Sequence, residues 1–291
     1  MSKINKAVIA AAGFGTRFLP VVKAFPKELI PVLNKPNIQY LVEEFIAAGV
    51  TDICIVHRLG NEAIKNYFTP NSDLEKFLKE NNKEQYLESL KEIWSKAKLT
   101  FLPQPKNLPY GNASPLLAAQ AFIGNDPFAF MFGDDLVLEE QTGYFVKHLV
   151  ETFEKYHPGV VLGVQEVPWE EINRYASIKY KDHPQVPNQA EDVLEKLPKE
   201  EAPSNMAQFG RFVVDPKIFK VLEKQELSLT NELYFSDAVN TLAHTDIAIA
   251  EPLTRGKWLT TGDPLRWLKA NIEYALKDPT LKEEITKLVQ L

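Results

Sequence analysis

Five short apolar runs with strand character are spread over residues 7–165, and helical patterns lie between several of them. The runs occupy residues 7–11, 53–57, 99–102, 128–132 and 160–165. In the segment 38–46, apolar side chains repeat with the period of an amphipathic helix, and Gly49 then ends it. Alternation of strand and helix predicts an α/β fold, with a Rossmann-like, mixed but mostly parallel central sheet flanked by helices. Ligands bind such sheets at the loops that follow the strands.

Three further segments depart from this alternation. Residues 69–96 are highly charged and helical in pattern, which predicts a solvent-exposed insertion between two strands. From about residue 180 several prolines interrupt the chain, and this region is predicted to form β-hairpins and loops. Residues 264–276 and 281–289 have the last two helical patterns of the sequence.

Charge and cysteine content exclude several classes of function. The net charge of -6 argues against a general affinity for nucleic acid or for an anionic membrane surface. The single cysteine, Cys54, lies in an apolar run, so we expect an inert buried thiol in a reducing compartment. No apolar stretch approaches the roughly 18 residues that span a bilayer. The start, "MSKINKAVIAAAG", is interpreted as the first strand of a cytoplasmic protein.

The stretch "AAAGFGTRFLP" at residues 10–20 directly follows the first apolar run. Gly13 and Gly15 match the first two positions of the dinucleotide fingerprint G-x-G-x-x-G, but Phe18 occupies the third. The stretch also lacks the G-K-[S/T] ending of a P-loop. What remains is a glycine turn whose backbone N–H groups can approach a phosphate closely. A tight strand-to-helix turn without a ligand is the simpler interpretation of this loop alone.

Three cations follow the glycines within a few residues. Arg17, Lys23 and Lys27 lie on a segment that is stiffened by prolines, in a protein that is otherwise acidic. Arginine offers paired donors to phosphate oxygens and lysine offers a compact charge. The segment therefore predicts a site for a triphosphate.

A pair of carboxylates follows the apolar run at 128–132. Asp134 and Asp135 stand in "FGDDLV", and such a sequence is as often a turn as a metal site. At the end of a central strand, a carboxylate is well placed to hold Mg²⁺ against phosphate oxygens.

Residues 10–28 resemble the opening motif of the sugar-1-phosphate nucleotidyltransferases, in particular the bacterial UTP–glucose-1-phosphate uridylyltransferases. That motif reads P-A-A-G-x-G-T-R-x-L-P-x-T-K-x-x-P-K-E, and this chain departs from it at Ala10 and Val22. The resemblance covers nearly the whole length, including the charged insertion, "EEAPSNMAQFGRFV" and "GDPLRWLKANIEYAL". It implies a single nucleotidyltransferase domain over 1–291. Within it, about 1–140 bind nucleotide, about 141–255 bind sugar phosphate and about 256–291 form C-terminal helices.

The resemblance implies a role for each matching residue. Catalysis is assigned to Arg17, Lys27 and Asp134. Nucleotide binding is assigned to Ala11, Ala12, Gly13, Gly15, Thr16, Gln104 and Gly111. The Gln104 amide can donate and accept at once, as pairing with the uracil edge requires, although a solvent-facing loop amide is the alternative. Asn112 stands where the family usually has histidine.

The sugar phosphate is assigned to Ala176, Glu195 and Lys196. "VLEKLP" resembles the family's V-E-K-P element, in which Glu195 accepts from sugar hydroxyls and Lys196 holds the 1-phosphate. Without the resemblance, this pair would be interpreted as charges on an exposed hairpin. Leu197 replaces a proline, and Ala176 replaces a glycine in "RYASIKY", where its methyl group could narrow the sugar site.

The most consequential departure from the family's motifs lies at the expected metal site. The resemblance implies Asp134 as a Mg²⁺ ligand, and a second aspartate in a G-K-x-x-D-x-G sequence. In "GKWLTTGDP" that second position is Thr260, a much poorer ligand, and Asp263 is a candidate substitute three residues on.

The expected function is transfer of a uridylyl group from UTP to glucose 1-phosphate, giving UDP-glucose and pyrophosphate by direct, Mg²⁺-dependent in-line attack. Two alternatives stay open: the same reaction with dTTP or another sugar 1-phosphate, and a catalytically weak homologue that binds nucleotide sugars and regulates a partner. Self-association as a dimer or tetramer, with the C-terminal helices as candidates for the contact, is a further implication of the resemblance.

Overall fold

The computed structural model describes residues 4–289. In that range the strands are β1 (Lys6–Ala11), β2 (Pro31–Val32), β3 (Lys35–Pro36), β4 (Asp52–Arg58), β5 (Lys98–Gln104), β6 (Phe128–Phe132), β7 (Asp135–Leu138), β8 (Val160–Glu166), β9 (Ala176–Tyr180), β10 (Gln189–Glu195), β11 (Met206–Val214), β12 (Ala248–Pro252) and β13 (Lys257–Thr260). The helices are α1 (Asn37–Ala47), α2 (Ala63–Phe68), α3 (Ser72–Glu80), α4 (Glu88–Lys96), α5 (Ser114–Ile123), α6 (Tyr144–Tyr156), α7 (Ile218–Leu222), α8 (Phe235–Thr245), α9 (Pro264–Lys277) and α10 (Pro279–Val289).

The central sheet contains nine strands of the described residues, in the order β5-β4-β1-β6-β11-β8-β12-β10-β9. The first four strands run parallel, as do β8 and β12. The pairs β6–β11, β8–β11, β10–β12 and β9–β10 are antiparallel. A short antiparallel contact also joins β9 to β11. The sheet is mixed, as predicted, but its antiparallel pairings slightly outnumber its parallel ones, whereas the sequence predicted mostly parallel pairing. The difference arises because both β11 and β10 run antiparallel to each strand with which they pair.

The elements predicted from the sequence are present. All five apolar runs are strands of the central sheet, and the charged insertion forms α3 and α4 between β4 and β5. The two last helical patterns are α9 and α10, and β9 and β10 form an antiparallel pair in the region predicted to contain hairpins. The α/β fold class is therefore confirmed.

Apolar side chains cover both faces of the central sheet in two large clusters. One charged pair lies within this core: the Arg211 guanidinium donates to both carboxylate oxygens of Glu44, at 2.7 Å and 2.6 Å. Because this pairing is bidentate, it fixes α1 against β11 in one orientation. Cys54 is buried, and burial raises the pKa of its thiol to about 12, which fits the expected inert side chain.

In the described part of the chain, no helix is both long enough and apolar enough to cross a membrane.

Candidate active site

A cavity of about 810 Å³ opens at the carboxyl ends of β1, β5 and β6 and extends to β9 and β10. This is the edge of the sheet at which parallel strands deliver their following loops to one place. Its walls contain the following sequence-predicted residues: Ala12, Gly13, Gly15, Thr16, Arg17, Lys27, Gln104, Gly111, Asp134, Ala176, Glu195, Lys196 and Thr260.

The glycine loop after β1 packs directly against the Lys27 side chain. Gly15 has a left-handed backbone with φ of 63°, and a Cβ there would lie 3.2 Å from the Cβ of Lys27. A Cβ on Gly133, at the end of β6, would lie 2.6 Å from the carbonyl oxygen of Ala10. The backbone after β6 thus approaches the end of β1 more closely than a side chain at Gly133 would permit.

Lys27 and Asp134 form an ion pair in the cavity wall, with 2.5 Å between Nζ and Oδ2. Burial alone would raise the pKa of Asp134, but the Lys27 charge and hydrogen bond outweigh burial and lower that pKa. Burial would lower the pKa of Lys27, but Asp134 and Glu28 together raise it. Both groups therefore stay charged near neutral pH.

Arg17, Asp134 and Thr260 converge around Gly262. The Arg17 guanidinium donates to the Gly262 carbonyl at 3.4 Å. A Cβ on Gly262 would lie 2.9 Å from Asp134 Oδ2 and 3.5 Å from both Arg17 Nη1 and Thr260 Oγ1. The Thr261 N–H and hydroxyl donate to the Asp134 carbonyl at 2.7 Å and 2.9 Å, and this holds the β13 loop against the end of β6.

The second carboxylate of the pair faces the protein. Asp135 accepts from the Trp258 indole at 2.8 Å and from the Gly210 N–H at 2.9 Å. Burial and the neighbouring Asp134 charge raise its pKa to about 6. Asp134 is therefore the member of the pair that is available to a ligand, whereas Asp135 joins β7 to β13 and β11.

The side of the cavity at which the sugar phosphate was expected is built by the antiparallel pair β9–β10. Ala176 lies opposite Glu195 in this pair, and the Lys196 N–H donates to the Tyr175 carbonyl at 3.0 Å. The Lys196 ammonium contacts Glu195 Oε1 at 3.0 Å and lies 4.4 Å from the centroid of the Tyr234 ring.

Three predicted positions lie elsewhere. Ala11 is buried in β1 and does not line the cavity. Lys23 is exposed and also lies outside the cavity walls, so only Arg17 and Lys27 of the three predicted cations are brought together. Asp263 caps the N-terminus of α9 by accepting from the Arg266 N–H at 3.0 Å, and its other oxygen pairs with the Arg266 guanidinium. These two contacts account for the position of the Asp263 carboxylate without a bound metal.

The cavity also contains charged residues to which the sequence analysis gave no role. Glu28 is 1 % exposed, and its Oε2 has no hydrogen-bond partner within the described residues. Burial raises the pKa of Glu28 to about 7, against the opposing charge of Lys27. Arg58 stacks on the Phe14 ring at 5.2 Å, and Arg174 lies at the sugar side. The sequence could have suggested Arg58, because it directly follows the apolar run 53–57, and the motif P-K-E contains Glu28. Neither pattern specifies a role for the residue.

The cavity wall contains few possible ligands for a divalent cation. No cluster of three or more histidine, cysteine, aspartate or glutamate side chains suited to a metal occurs in residues 4–289. Asp134 and Thr260 nevertheless present a carboxylate and a hydroxyl to the same point of the wall. This donor set fits Mg²⁺, which is often bound through one or two carboxylates and completes its shell with phosphate oxygens and water.

Comparison with known proteins identifies the family. The sequence pattern of the family described as "Nucleotidyl transferase" matches residues 6–276. The chain belongs to this family. Nucleotidyltransferases generally use a divalent metal, in keeping with the Asp134 site.

The similarity to other family members extends over all or nearly all of this chain. A UTP–glucose-1-phosphate uridylyltransferase of Bacillus subtilis (strain 168) is 37% identical over 290 residues, with 100% of this chain and 97% of the relative covered. A UTP-bound UGPase from Acinetobacter baumannii has a TM-score of 0.86 and 30% identity, covering 99% of each chain. A UDP-glucose pyrophosphorylase complexed with UDP-glucose has a TM-score of 0.82 and 32% identity, covering 94% of this chain and 100% of that one.

Proposed function

We propose that this nucleotidyltransferase transfers a uridylyl group from UTP to glucose 1-phosphate, giving UDP-glucose and pyrophosphate. The observation that carries the proposal is the cavity itself, in which Arg17, Lys27 and Asp134 lie at one end and Glu195 and Lys196 at the other. A triphosphate fits the cationic end and a sugar phosphate fits the other. The full-length similarity to uridylyltransferases supports this choice of substrates.

The sugar phosphate oxygen attacks the α-phosphorus of UTP in line with the departing pyrophosphate. The sequence contains no G-x-S-x-G or comparable nucleophile motif, and the proposed reaction needs no covalent intermediate. Catalysis then depends on positioning and on neutralising phosphate charge. Backbone N–H groups at Gly13 and Gly15 approach the phosphates, Arg17 and Lys27 stabilise charge on the α-phosphate and pyrophosphate, and Lys196 aligns the attacking phosphate.

The base is placed by Gln104 and Gly111. The Gln104 amide lines the cavity at the end of β5, where it can pair with both N3–H and a carbonyl of uracil. Glu28 has a free, buried carboxylate oxygen in the same wall and is available to accept from a nucleotide hydroxyl.

The metal is proposed to be Mg²⁺, held by Asp134 with the Thr260 hydroxyl as a weaker neighbour. When bound, Mg²⁺ neutralises phosphate charge and polarises the reacting phosphate. Asp263 is left out of the ligand set because it caps α9 and pairs with Arg266.

Two alternatives are tied to particular residues. The Ala176 methyl group is buried in the cavity wall next to the proposed sugar site, and this favours a different sugar 1-phosphate as the substrate. The same alternative includes dTTP in place of UTP. Thr260 in place of a carboxylate favours a weak catalyst that binds nucleotide sugar and regulates a partner. The complete cluster of Arg17, Lys27 and Asp134 favours the enzyme.

A substrate panel separates these possibilities. Pyrophosphate release is measured with Mg²⁺ over several nucleoside triphosphates and sugar 1-phosphates. We expect the highest kcat/KM for UTP with glucose 1-phosphate. Another best pair would replace the proposed substrates, and UDP-glucose binding without turnover of any pair would establish the regulatory alternative.

Self-association is also proposed, with a second copy of this chain as the partner. Leu265, Leu268, Ile272 and Leu276 are exposed along α9, at the spacing of one helix face. Light scattering at several concentrations tests this directly, because a monomer at all of them would contradict it.

A further inference from the structure

The segment of residues 231–235, here called the bridge segment, contacts both ends of the cavity. Glu232 and Tyr234 line the cavity, and Phe235 begins α8. The proposed mechanism assigns no role to this segment. However, the centroid of the Tyr234 ring lies 4.4 Å from Lys196 Nζ.

On its nucleotide side, the bridge segment is joined to the turn at 110–113. The Leu233 N–H donates to the Tyr110 carbonyl at 2.7 Å, and the Ala113 N–H donates to the Leu233 carbonyl at 3.2 Å. The Asn112 side chain accepts from the Phe235 N–H at 2.7 Å. A Cβ on Gly111 would lie 2.2 Å from the Leu233 oxygen, so the two backbones are in direct contact.

Tyr234 is held through both its backbone and its side chain. The backbone carbonyl of Tyr234 accepts from the Gln225 side chain at 2.8 Å, and the Tyr234 hydroxyl lies 3.2 Å from Thr230 Oγ1. The next residue, Phe235, is fully buried, with ring centroids 5.0 Å from Phe130 and 4.8 Å from Phe212. The backbone at Tyr234 is therefore anchored to the sheet through Phe235, and the Thr230 contact orients the ring.

Lys196 makes fewer contacts than Tyr234 does. Its backbone is left-handed, with φ of 50°, and its side chain is 46 % exposed. A flexible ammonium with one carboxylate partner can take several orientations, and an aromatic face restricts it because the ring quadrupole attracts the cation.

We propose that Tyr234 is a positioning residue for Lys196, and that the bridge segment sets the place of the sugar phosphate relative to the turn that contains Gly111. This inference rests on the proposed function, because it assigns the 1-phosphate to Lys196. Tyr234 acts through Lys196 and does not itself take part in the chemistry.

Tyr234→Leu removes the ring, and Tyr234→Phe keeps it. We expect Tyr234→Leu to raise the KM for glucose 1-phosphate about three- to thirty-fold, the range of a cation–π contact. The KM for UTP and the thermal unfolding midpoint are expected to stay near those of the wild type. Tyr234→Phe is expected to restore most of the affinity for glucose 1-phosphate. Tyr86→Leu, at a 72 % exposed position of the charged insertion, is the matched control.

The link to the nucleotide turn is tested by Asn112→Ala, which removes the acceptor of the Phe235 N–H. We expect this change to raise the KM for both substrates. If it raises the KM for UTP alone, the bridge segment does not connect the two sites. A larger rise in the KM for glucose 1-phosphate than in the KM for UTP in Tyr234→Leu supports the inference. Unchanged KM values, equally raised KM values or a larger rise for UTP would overturn it.

Calorimetric titration with UDP-glucose supplies a measurement that does not depend on turnover. Weaker binding by Tyr234→Leu but not by Tyr234→Phe supports the inference, and equal affinities of the wild type and both variants reject it. An inactive wild type would contradict the proposed function alone, and this titration would still decide the role of Tyr234.

Discussion

The two ends of the cavity differ in how firmly they hold their charged side chains. At the end proposed to bind nucleotide, here called the nucleotide end, the side chains of Lys27 and Asp134 are 18 % and 25 % exposed and are 2.5 Å apart. At the end proposed to bind the sugar phosphate, here called the sugar end, the Lys196 side chain is 46 % exposed and contacts Glu195 and Tyr234. The nucleotide end is thus formed before a ligand arrives, and the sugar end is held more loosely.

The difference follows from the elements that build each end. Parallel strands deliver the loops after β1 and β6 to the same edge, and Gly133 allows the backbone after β6 to touch the end of β1. The sugar end is formed by an antiparallel pair that contains a register shift between Ala190 and Asp192, and by the bridge segment. We therefore expect substitutions at the nucleotide end to reduce kcat, and those at the sugar end to act mainly on KM.

Asp134→Asn is expected to have the largest effect. The amide cannot hold Mg²⁺ well and no longer balances the Lys27 charge, so kcat should fall by about 10³-fold or more. Steady-state pyrophosphate release measures this, with circular dichroism as the check on folding. Activity within about tenfold of the wild type would remove Asp134 from the site.

Lys27→Met is expected to come next, with a loss in kcat of about 10²- to 10³-fold, since it removes a donor directed at the phosphates. Lys23→Met is the matched control, because Lys23 belongs to the same motif but lies outside the cavity walls. Its kcat should equal that of the wild type. Equal losses in the two variants would show that the motif acts through its overall charge.

Lys196→Met should raise the KM for glucose 1-phosphate about ten- to a hundred-fold, the usual loss for an exposed charge-assisted contact to phosphate. The kcat should change less than it does in Lys27→Met. A larger loss in kcat than in affinity would contradict the distinction between the two ends. Lys199→Met, on the same exposed loop, serves as the control.

Thr260→Asp adds a carboxylate beside Asp134. We expect the Mg²⁺ concentration at half-maximal activity to fall about tenfold, because cation affinity rises with the number of charged ligands. Fluorescence titration of the nucleotide-free protein with Mn²⁺ gives a second readout. If Mn²⁺ affinity is unchanged, Thr260 does not face the metal.

Glu28→Gln is expected to have the smallest effect. It should change how the free energy of unfolding depends on pH. Since burial raises the pKa of Glu28 from 4.5 to about 7, the unfolded chain binds fewer protons between these pH values. The free energy of unfolding of the wild type should therefore fall with rising pH in this window, relative to the variant, by up to about 1.4 kcal/mol per pH unit. Urea titrations at pH 5 and pH 7 measure it, and Glu140→Gln is an exposed control.

Local motifs made the nucleotide end predictable from the sequence. The glycines, Arg17, Lys27 and Asp134 each follow a strand whose apolar pattern is plain, and parallel strands bring their ends together. The place of Lys23 outside the cavity walls was not predictable, because the sequence does not show which side of the intervening turns faces the cavity. Asp263 precedes Pro264, a common signal for the start of a helix, and this pattern could have suggested its capping role.

Contacts between distant parts of the chain were not predictable in the same way. Asp135 and Trp258 are 123 residues apart, and their hydrogen bond depends on β7 pairing with β13. The packing of Tyr234 on Lys196 depends on how α8 starts beside the end of β10. The place of β11 between β6 and β8 likewise depends on the whole sheet, since no local pattern specifies strand order.

The proposed direct transfer is tested most directly by a single-turnover experiment. Enzyme in excess is mixed with UTP labelled at the α-phosphorus, with Mg²⁺, in the presence and absence of glucose 1-phosphate. We predict that the label appears only in UDP-glucose, with an equal amount of pyrophosphate, and that the protein stays unlabelled in both mixtures. Label bound to the protein, or no UDP-glucose from these two substrates, would contradict the account.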